Sequence, residues 1–465
     1  MVSDDETFET CDLSSLSDTS IDSYIPKHSY IKLNQDDLSE LIDTINTLIE
    51  EYITLEFISY SKPDFLENMS RDITDVIIHD FYVIYNNVTD DLYDDLLNFI
   101  QIYIKDYCIV FNIPERSESN DIINNKHYDS IQKLNSKINA LQNIVLPEQK
   151  SREWYEFRYE LITASNIWKV FGSESQQNSL IFEKCKPLDV DSYMRNSTMG
   201  SLHWGVKYEP ITIMIYEDIN NTKIGEFGCI PHPKYSFIGA SPDGINIEPY
   251  NNDKYGRMIE IKNIVNREIT GIPKEEYWIQ TQVQMETCDL DECDFIETRI
   301  KEYNNEEQFL EDNTHNYKGI VLHFIEKPPI EMNENTTLSS TPIYKYMPLN
   351  IPINNTNIQN WINYEKEDMK QKNLVIFEVN YWYLDEYSCV LIQRNKLWFS
   401  YAINKIENLW NTIIHERIKG YAHRATKKRK RTLSLASDDA TVSCSPPRII
   451  GCLINIDDDG NVINN

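Results

Sequence analysis

Ser241-Pro242-Asp243-Gly244, a polar connection, and then Ile259-Glu260-Ile261-Lys262 form the stretch that decides how this chain folds. Pro-Asp-Gly is a turn signal. Ile-Glu-Ile-Lys reads as a short apolar strand. Residues two apart in a strand point to one face, so Glu260 and Lys262 project together. A hairpin between the two pieces brings Asp243 beside them. Two carboxylates and an ammonium at one point suit divalent-metal phosphodiester hydrolysis. The carboxylates hold a hard cation, and the lysine steers or deprotonates a water. Each piece alone has an ordinary reading, because Asp-Gly is common in turns and Glu-x-Lys is a frequent pattern. Their order on strand-compatible sequence carries the inference.

Working outward, Tyr277-Trp278-Ile279-Gln280-Thr281-Gln282-Val283-Gln284-Met285 lies on a helix expected over 274–287. Gln280 and Gln284 are four apart and share one face, while Gln282 points elsewhere. A glutamine facing the site can hold the attacking water or a phosphate oxygen. Three surface glutamines are the plainer alternative. Upstream, Gly205-Val206-Lys207-Tyr208-Glu209-Pro210 puts a proline in a helical stretch, which kinks or restarts it. Glu209 at that irregularity can aim a carboxylate into a site, or remain a solvated helix residue. Further upstream stand Gln149-Lys150-Ser151-Arg152-Glu153-Trp154, Arg158 and Ile162-Thr163-Ala164-Ser165. Arg158 with the Thr163 and Ser165 hydroxyls suits a phosphate beside a helix N-terminus. The bland reading makes Trp154 and Ile162 core and Arg158 a surface charge.

The pattern around these motifs is a mixed α/β (α+β) plan. Apolar spacing predicts helices over 36–54, 69–86, 90–109 and 128–144, with Thr89 or Asp90 as an N-cap for the third. A helix over 151–159 and helical signal over 200–216 follow. Strands are expected at 225–230, 237–240 and 257–262, then at 294–300 and 320–324 beyond the glutamine helix. Residues 114–126 and 330–355 read as loops. A helix over 358–371, a strand over 387–393 and a helix over 395–418 complete the folded part. The expected units are an acidic disordered terminus (1–30), a helical module (31–145), a catalytic α/β unit with a helical C-terminal elaboration (146–420) and a disordered tail (421–465).

The 465 residues carry a net charge of -30 and are 41% hydrophobic. Residues 1–145 hold 28 acidic and 9 basic side chains, so most of the acidity lies outside the catalytic unit. Long-range steering toward a polyanion is therefore weak, and a locally basic groove has to compensate. No apolar run reaches membrane length, and the acidic first residues lack a signal-peptide pattern. Nine scattered cysteines fit reduced thiols in an intracellular, non-secreted protein. Cys288 and Cys293 have no second pair nearby, so zinc is not expected. Lys427-Lys428-Arg429-Lys430-Arg431 is a solvated basic tail, a nuclear-import signal or a DNA tether.

The ordered set Gln-x-Ser-x-Glu-Trp, Arg, Ile-Thr-Ala-Ser, Gly-x-x-x-Glu-Pro, Ser-Pro-Asp-Gly, Glu-x-Lys and Tyr-x-x-Gln-x-Gln-x-x-Met resembles the YqaJ viral recombinase family. That family includes the phage lambda exonuclease and belongs to the PD-(D/E)XK superfamily. The resemblance covers about 146–300; each motif is weak alone, and five in order are specific. It implies a restriction-endonuclease-like core, a central mixed sheet flanked by helices, here with a helical N-terminal module. It implies a Mg2+- or Mn2+-dependent deoxyribonuclease acting on double-stranded DNA ends in viral recombination, repair or degradation. By position, Asp243 and Glu260 resemble the metal carboxylates, with the Ile261 carbonyl as a further ligand. Lys262 resembles the catalytic lysine and Glu209 the accessory acid; of Gln280, Gln282 and Gln284, between which the family's helix geometry decides, Gln282 is favoured as the motif glutamine from its place in the motif, and Arg158 resembles the arginine that contacts a terminal 5′ phosphate.

The acidic composition and long extensions look like a version from a large DNA virus. Residues 1–145 and those after about 330 have no counterpart in the compact phage enzymes, so their ring-shaped trimer does not carry over. A homo-oligomer and a single-strand-annealing or replication partner are the associations the family suggests; a membrane is not. The scattered cysteines do not supply the four-cysteine pattern of the RecB-like branch, so no iron–sulfur cluster is expected. Host cytoplasm or nucleus is the expected location. Two rival functions remain: an endonuclease or flap-type nuclease with the same site, and a catalytically idle DNA-end-binding scaffold.

Overall fold

The computed structural model describes residues 35–85, 89–119, 131–190, 201–249, 253–327 and 342–425, with 455–456 and 462–463. The expected terminus 1–30 and the basic run Lys427–Arg431 lie outside these residues. The first helices are α1 (Gln35–Glu56), α2 (Phe65–Tyr85) and α3 (Asp90–Val110), then α4 (Ile131–Gln142). Thr89 caps α3 by accepting from Leu92 N. Their apolar stripes are buried through Leu41, Ile45, Ile49, Met69, Ile73, Phe99 and Ile104. That core is continuous with the rest of the molecule.

Next come α5 (Arg152–Tyr159), β2 (Ile162–Thr163), α6 (Ala164–Ile167) and α7 (Glu174–Cys185); β1 (Glu118–Ser119) precedes them. Helix α8 (Ser201–Asn220) leads to the hairpin strands β3 (Ile224–Gly225), β4 (Ile230–Pro231), β5 (Ile238–Ala240), β6 (Gly244–Asn246) and β7 (Met258–Asn263). Helix α9 (Glu275–Cys288) then crosses to β8 (Glu292–Glu302). Helix α10 (Glu306–Glu311), β9 (Lys318–Glu326), β10 (Ile343–Tyr346), α11 (Asn355–Lys370), β11 (Leu374–Gln393) and α12 (Lys396–Lys419) complete the body.

The main sheet runs β10-β9-β11-β8-β7-β6-β3, with β1 also on β11. Only β7 and β8 are parallel within it, because α9 is the crossover that parallel neighbours need. Alternation along β7 sorts its two faces. Ile259 and Ile261 pack under Tyr216 of α8 with Ile296 of β8. Met258, with Cys293 and Phe295 of β8, packs under Trp278, Ile279 and Val283 of α9. Gly244 sits where β6 meets β3, and a Cβ there would lie 2.1 Å from the Ile224 side chain. A second sheet orders β2-β5-β4, with β2 parallel to β5.

The helical N-terminal part is tied to this body by specific bonds. Trp278 Nε1 donates to Arg116 O at 2.8 Å, and Trp398 Nε1 donates to Ile58 O at 3.0 Å. The two indoles meet edge to face at 5.2 Å. Burying such rings contributes roughly 2–3 kcal/mol each. Among the described residues no helix is long and apolar enough to cross a membrane.

Several expectations change. The strand expected over 225–230 is two short strands in different sheets, β3 and β4. The loop expected over 330–355 contains β10, and that over 114–126 contains β1. Strand β11 begins at Leu374 rather than 387, because register shifts between Ile376 and Glu378 and between Leu384 and Glu386 break its alternation. Helix α7 was unexpected; its apolar spacing is weak, although the Ser173/Gln176 capping box marks its start. In the expected disordered tail, Ala422–Arg424 forms a 3-10 turn and Asn455–Ile456 pairs with Val462–Ile463.

Candidate active site

Glu260 is the centre of the site. It is buried on β7, where an unpaired carboxylate would be costly, and every partner is fixed. Lys262, two residues along the same face, donates Nζ to Oε1. Gln280 Nε2 also reaches Oε1 at 2.7 Å, and Gln284 Nε2 reaches Oε2 at 2.7 Å. The i and i+4 glutamines of α9 thus grip both oxygens from above the strand. Lys262 Nζ further contacts Gln280 Oε1 at 3.3 Å and lies over the Tyr277 ring at 4.8 Å.

Asp243 leaves the hairpin turn and closes the edge of β7. Its Oδ2 accepts from Ile261 N at 2.7 Å. Strand β6 ends its pairing at Gly244, opposite Ile259, so beyond that point the aspartate takes the place of the neighbouring strand. The N–H and C=O of one strand residue point to the same edge. The Ile261 carbonyl therefore faces the same gap as Asp243.

Glu209 comes from α8, which runs through Pro210 without a break. The helix does not restart there. Proline removes the N–H donor for Val206 O, and the carbonyls on either side of that one take side-chain donors from other elements. Gly205 O accepts from Asn263 Nδ2 at 3.3 Å, and Lys207 O accepts from the Tyr346 hydroxyl at 2.8 Å. These bonds hold the Glu209 turn against the end of β7.

The charges are unbalanced. Burial, then the neighbouring Glu260 and Glu209 carboxylates, raise the Asp243 pKa well above the ordinary value. Burial and then Glu260 push Glu209 up to about 7. Burial alone would lower Lys262, but Glu260 and Asp243 outweigh it and raise it. Lys262 is therefore an ammonium in this structure, suited to orienting a water or phosphate rather than removing a proton.

The donor set fits a hard divalent cation. Three carboxylates share one lysine, and the Ile261 carbonyl opens on the same gap. Gln284 Oε1 is buried without a partner among the described residues, because its Nε2 is committed to Glu260. Among the described residues no three His, Cys, Asp or Glu side chains are gathered closely enough to hold an ion alone. Magnesium does not require that, since it keeps several waters and takes one or two carboxylates with substrate oxygens.

Gln282, favoured from its place in the motif, is corrected. Its Nε2 donates to Gln393 O at 2.9 Å and its Oε1 accepts from Asn395 N at 2.7 Å. It ties α9 to the junction of β11 and α12, away from Glu260. The helical spacing that sets Gln280 and Gln284 on one face is the signal that both meet Glu260.

Arg158 lies at the end of α5, its guanidinium over Trp154 at 4.4 Å and its Nη1 on Ser241 Oγ at 3.2 Å. Ser241 O accepts from Gln284 Nε2 at 3.2 Å, so Arg158 and Glu260 are joined through two residues. Ser241 stood in the Ser-Pro-Asp-Gly motif but had no assigned role. Thr163 is the N-cap of α6, and its hydroxyl contacts Ser165 Oγ at 3.1 Å. Those hydroxyls occupy each other, and no bond joins them to Arg158 among the described residues.

Residues 153–291 match the model of the YqaJ-like viral recombinase domain. An uncharacterized protein of Acanthamoeba polyphaga mimivirus is 30% identical over 323 residues, 64% of this chain and 57% of the viral relative. The chain thus spans 57% of that relative's length. An alkaline exonuclease from Laribacter hongkongensis aligns over 57% of this chain and 94% of its own, at 18% identity and a TM-score of 0.33. A phage-related exonuclease from Haemophilus somnus 129PT aligns over 55% and 96%, at 13% identity and a TM-score of 0.28. The matched recombinase segment contains Arg158, Glu209, Asp243, Glu260, Lys262 and the three glutamines.

Proposed function

We propose that this chain is a divalent-metal-dependent deoxyribonuclease acting at the ends of duplex DNA. The observation that carries the reading is the grip of Lys262, Gln280 and Gln284 on Glu260, at the strand end that Asp243 closes through Ile261 N. Asp243, Glu260, the Ile261 carbonyl and Glu209 would hold Mg2+ or Mn2+. Such a cation supplies Lewis-acid stabilisation of the phosphate and a lowered pKa for a coordinated water.

The protein groups do the rest. The Lys262 ammonium offers its remaining protons to the water or to a non-bridging phosphate oxygen, where negative charge develops. Gln284 Oε1 accepts a hydrogen from the attacking water and sets its orientation. Gln280 keeps the Glu260 carboxylate in one rotamer. Arg158 takes the terminal 5′ phosphate, which places the first phosphodiester over the carboxylates and makes the enzyme an exonuclease. Trp154 and Ser241 hold its guanidinium ready. The catalytic unit on this reading is the body from about 146 to 420, with the helices before it as structural support.

The test is digestion of linear and covalently closed duplex DNA by purified protein with Mg2+. Linear DNA is degraded from its ends and closed DNA stays intact; EDTA stops the reaction. Cutting of closed circles would make it an endonuclease. No cutting of either substrate would leave an idle end-binding scaffold.

A further inference from the structure

Helix α5 ends at Tyr159, and its last carbonyls have no following turn to take them. Two cations close that end. Lys184 of α7 donates from Nζ to Arg158 O at 2.8 Å. Arg417 of α12 donates from Nη2 to Tyr159 O and from Nε to Lys184 O, both at 2.9 Å. Arg417 also pairs with Glu160 at 2.7 Å and lies over the Tyr159 ring at 4.4 Å.

Lys184 is 6% exposed and forms no ion pair among the described residues. Burying an ammonium without a carboxylate is costly. Burial pushes its pKa down to about 8; Glu183 acts the other way, and Arg158 and Arg417 lower it further. Packing alone would favour an apolar side chain at this position. The charge is kept where it meets the backbone of Arg158.

We propose that Lys184, supported by Arg417, is a positioning residue for Arg158, fixing the angle and field with which that arginine meets an anionic DNA terminus. The inference rests on Arg158 being the terminal-phosphate contact. A helix C-terminus carries partial negative charge, which repels phosphate. Two cations on the carbonyls of Arg158 and Tyr159 cancel it. They also fix the root of the Arg158 side chain, while Trp154 and Ser241 fix its head. A guanidinium held at both ends loses little freedom on binding.

The test compares Mg2+-dependent digestion of duplexes with 5′-phosphoryl and 5′-hydroxyl ends by the wild type, K184M, K184R and R417Q. The wild type prefers phosphorylated ends. K184M loses that preference by on the order of tenfold or more, as expected for a misplaced positioning group, with little change on hydroxyl ends. K184R, which keeps charge and donors, recovers most of it. A folded K184M with full preference overturns the inference, and so does an equal loss on both substrates. A wild type without preference overturns the Arg158 reading and takes this inference with it. If K184M does not fold, R417Q decides, because its side chain is 20% exposed at the edge of the cluster; undiminished preference in R417Q overturns the inference.

Discussion

At the start of β7 and β8, Arg257 and Lys254 face Asp294 and Glu292; at the far end of β7, Asp243, Glu260 and Glu209 share Lys262, with Lys150 also acting on Glu209. The first group is closed. Arg257 meets Asp294 at 3.0 Å and Glu292 at 2.8 Å, Lys254 meets Asp294 at 2.9 Å, and the Tyr216 hydroxyl adds a bond to Asp294 at 2.7 Å. Burial would lower the Arg257 pKa, yet its two acids raise it. The second group holds more acids than bases, and Glu260 adds to burial in raising the pKa of Asp243 and Glu209; in the first, burial raises Glu292 against the pull of Arg257. Both groups are buried on neighbouring strands, so burial does not distinguish them. Charge balance does: the first group is neutralised from within, and the second is where the proposed cation would restore the balance.

The largest effects test this contrast. Asp243→Ala or Glu260→Ala lowers Mg2+-dependent cleavage by roughly three powers of ten or more, equivalent to about 4 kcal/mol of transition-state stabilisation. Asp294→Ala acts on stability. It removes one of the two carboxylates that Arg257 meets and the carboxylate that Lys254 meets, and costs about 3–5 kcal/mol in urea unfolding, while activity falls only with the folded fraction. Asp243→Asn keeps the bond from Ile261 N and removes repulsion, so at pH 8 its urea midpoint equals or exceeds that of the wild type. If it lost as much stability as Asp294→Ala, the contrast would break.

Thermal melts sharpen it. The folded pKa of Glu209, about 7, lies above its ordinary 4.5, so the folded state keeps a proton that the unfolded chain releases. Its contribution to stability is therefore present below pH 4.5 and lost as pH rises through 7. Mg2+ or Mn2+ raises the melting temperature more at pH 8 than at pH 5. An equal shift at both pH values would sink the idea that these carboxyls await a cation.

The smallest effects separate two neighbours on α9. Gln284→Ala leaves Glu260 without one donor and removes the orphaned acceptor; cleavage falls by about tenfold to a hundredfold, as for other residues that orient metal ligands. Gln282→Ala strands the Asn395 N–H and costs about 1–3 kcal/mol of stability, with the rate of folded enzyme little changed. A Gln282→Ala enzyme that is stable but slow would restore the motif-based choice.

That last pair shows what could be read from the sequence. Glu260 and Lys262 were legible because a two-residue period fixes a face without reference to anything distant. Asp243 was legible because Pro-Asp-Gly places a turn. Gln282 shares the motif but not the face, since helical spacing joins Gln280 with Gln284 and turns Gln282 toward Gln393 and Asn395. Lys184 and Arg417 were hidden, since their partners are backbone carbonyls on another helix and carry no residue pattern. Strand β11 was half hidden for a local reason: its two register shifts each move the side chains to the other face, and Glu378, Asn380, Asp385 and Glu386 interrupt its apolar run. The mixed α/β plan survived these misses because β7, α9 and β8 follow one another in sequence as strand, crossover helix and parallel strand.

Strand β11 has one more consequence. The segment 153–291 that matches the recombinase domain holds every acid of the site, yet stops just before β8 at Glu292. β8 is the parallel partner of β7, and β11 joins it to β9 through twenty residues that begin at Leu374. Pairings between such distant stretches close slowly. During synthesis, Asp243, Glu260 and Lys262 leave the ribosome long before the strands that lock their geometry. The candidate site residues are thus all present in the growing chain before β8 and β11, the strands that extend the sheet beside β7, have been made.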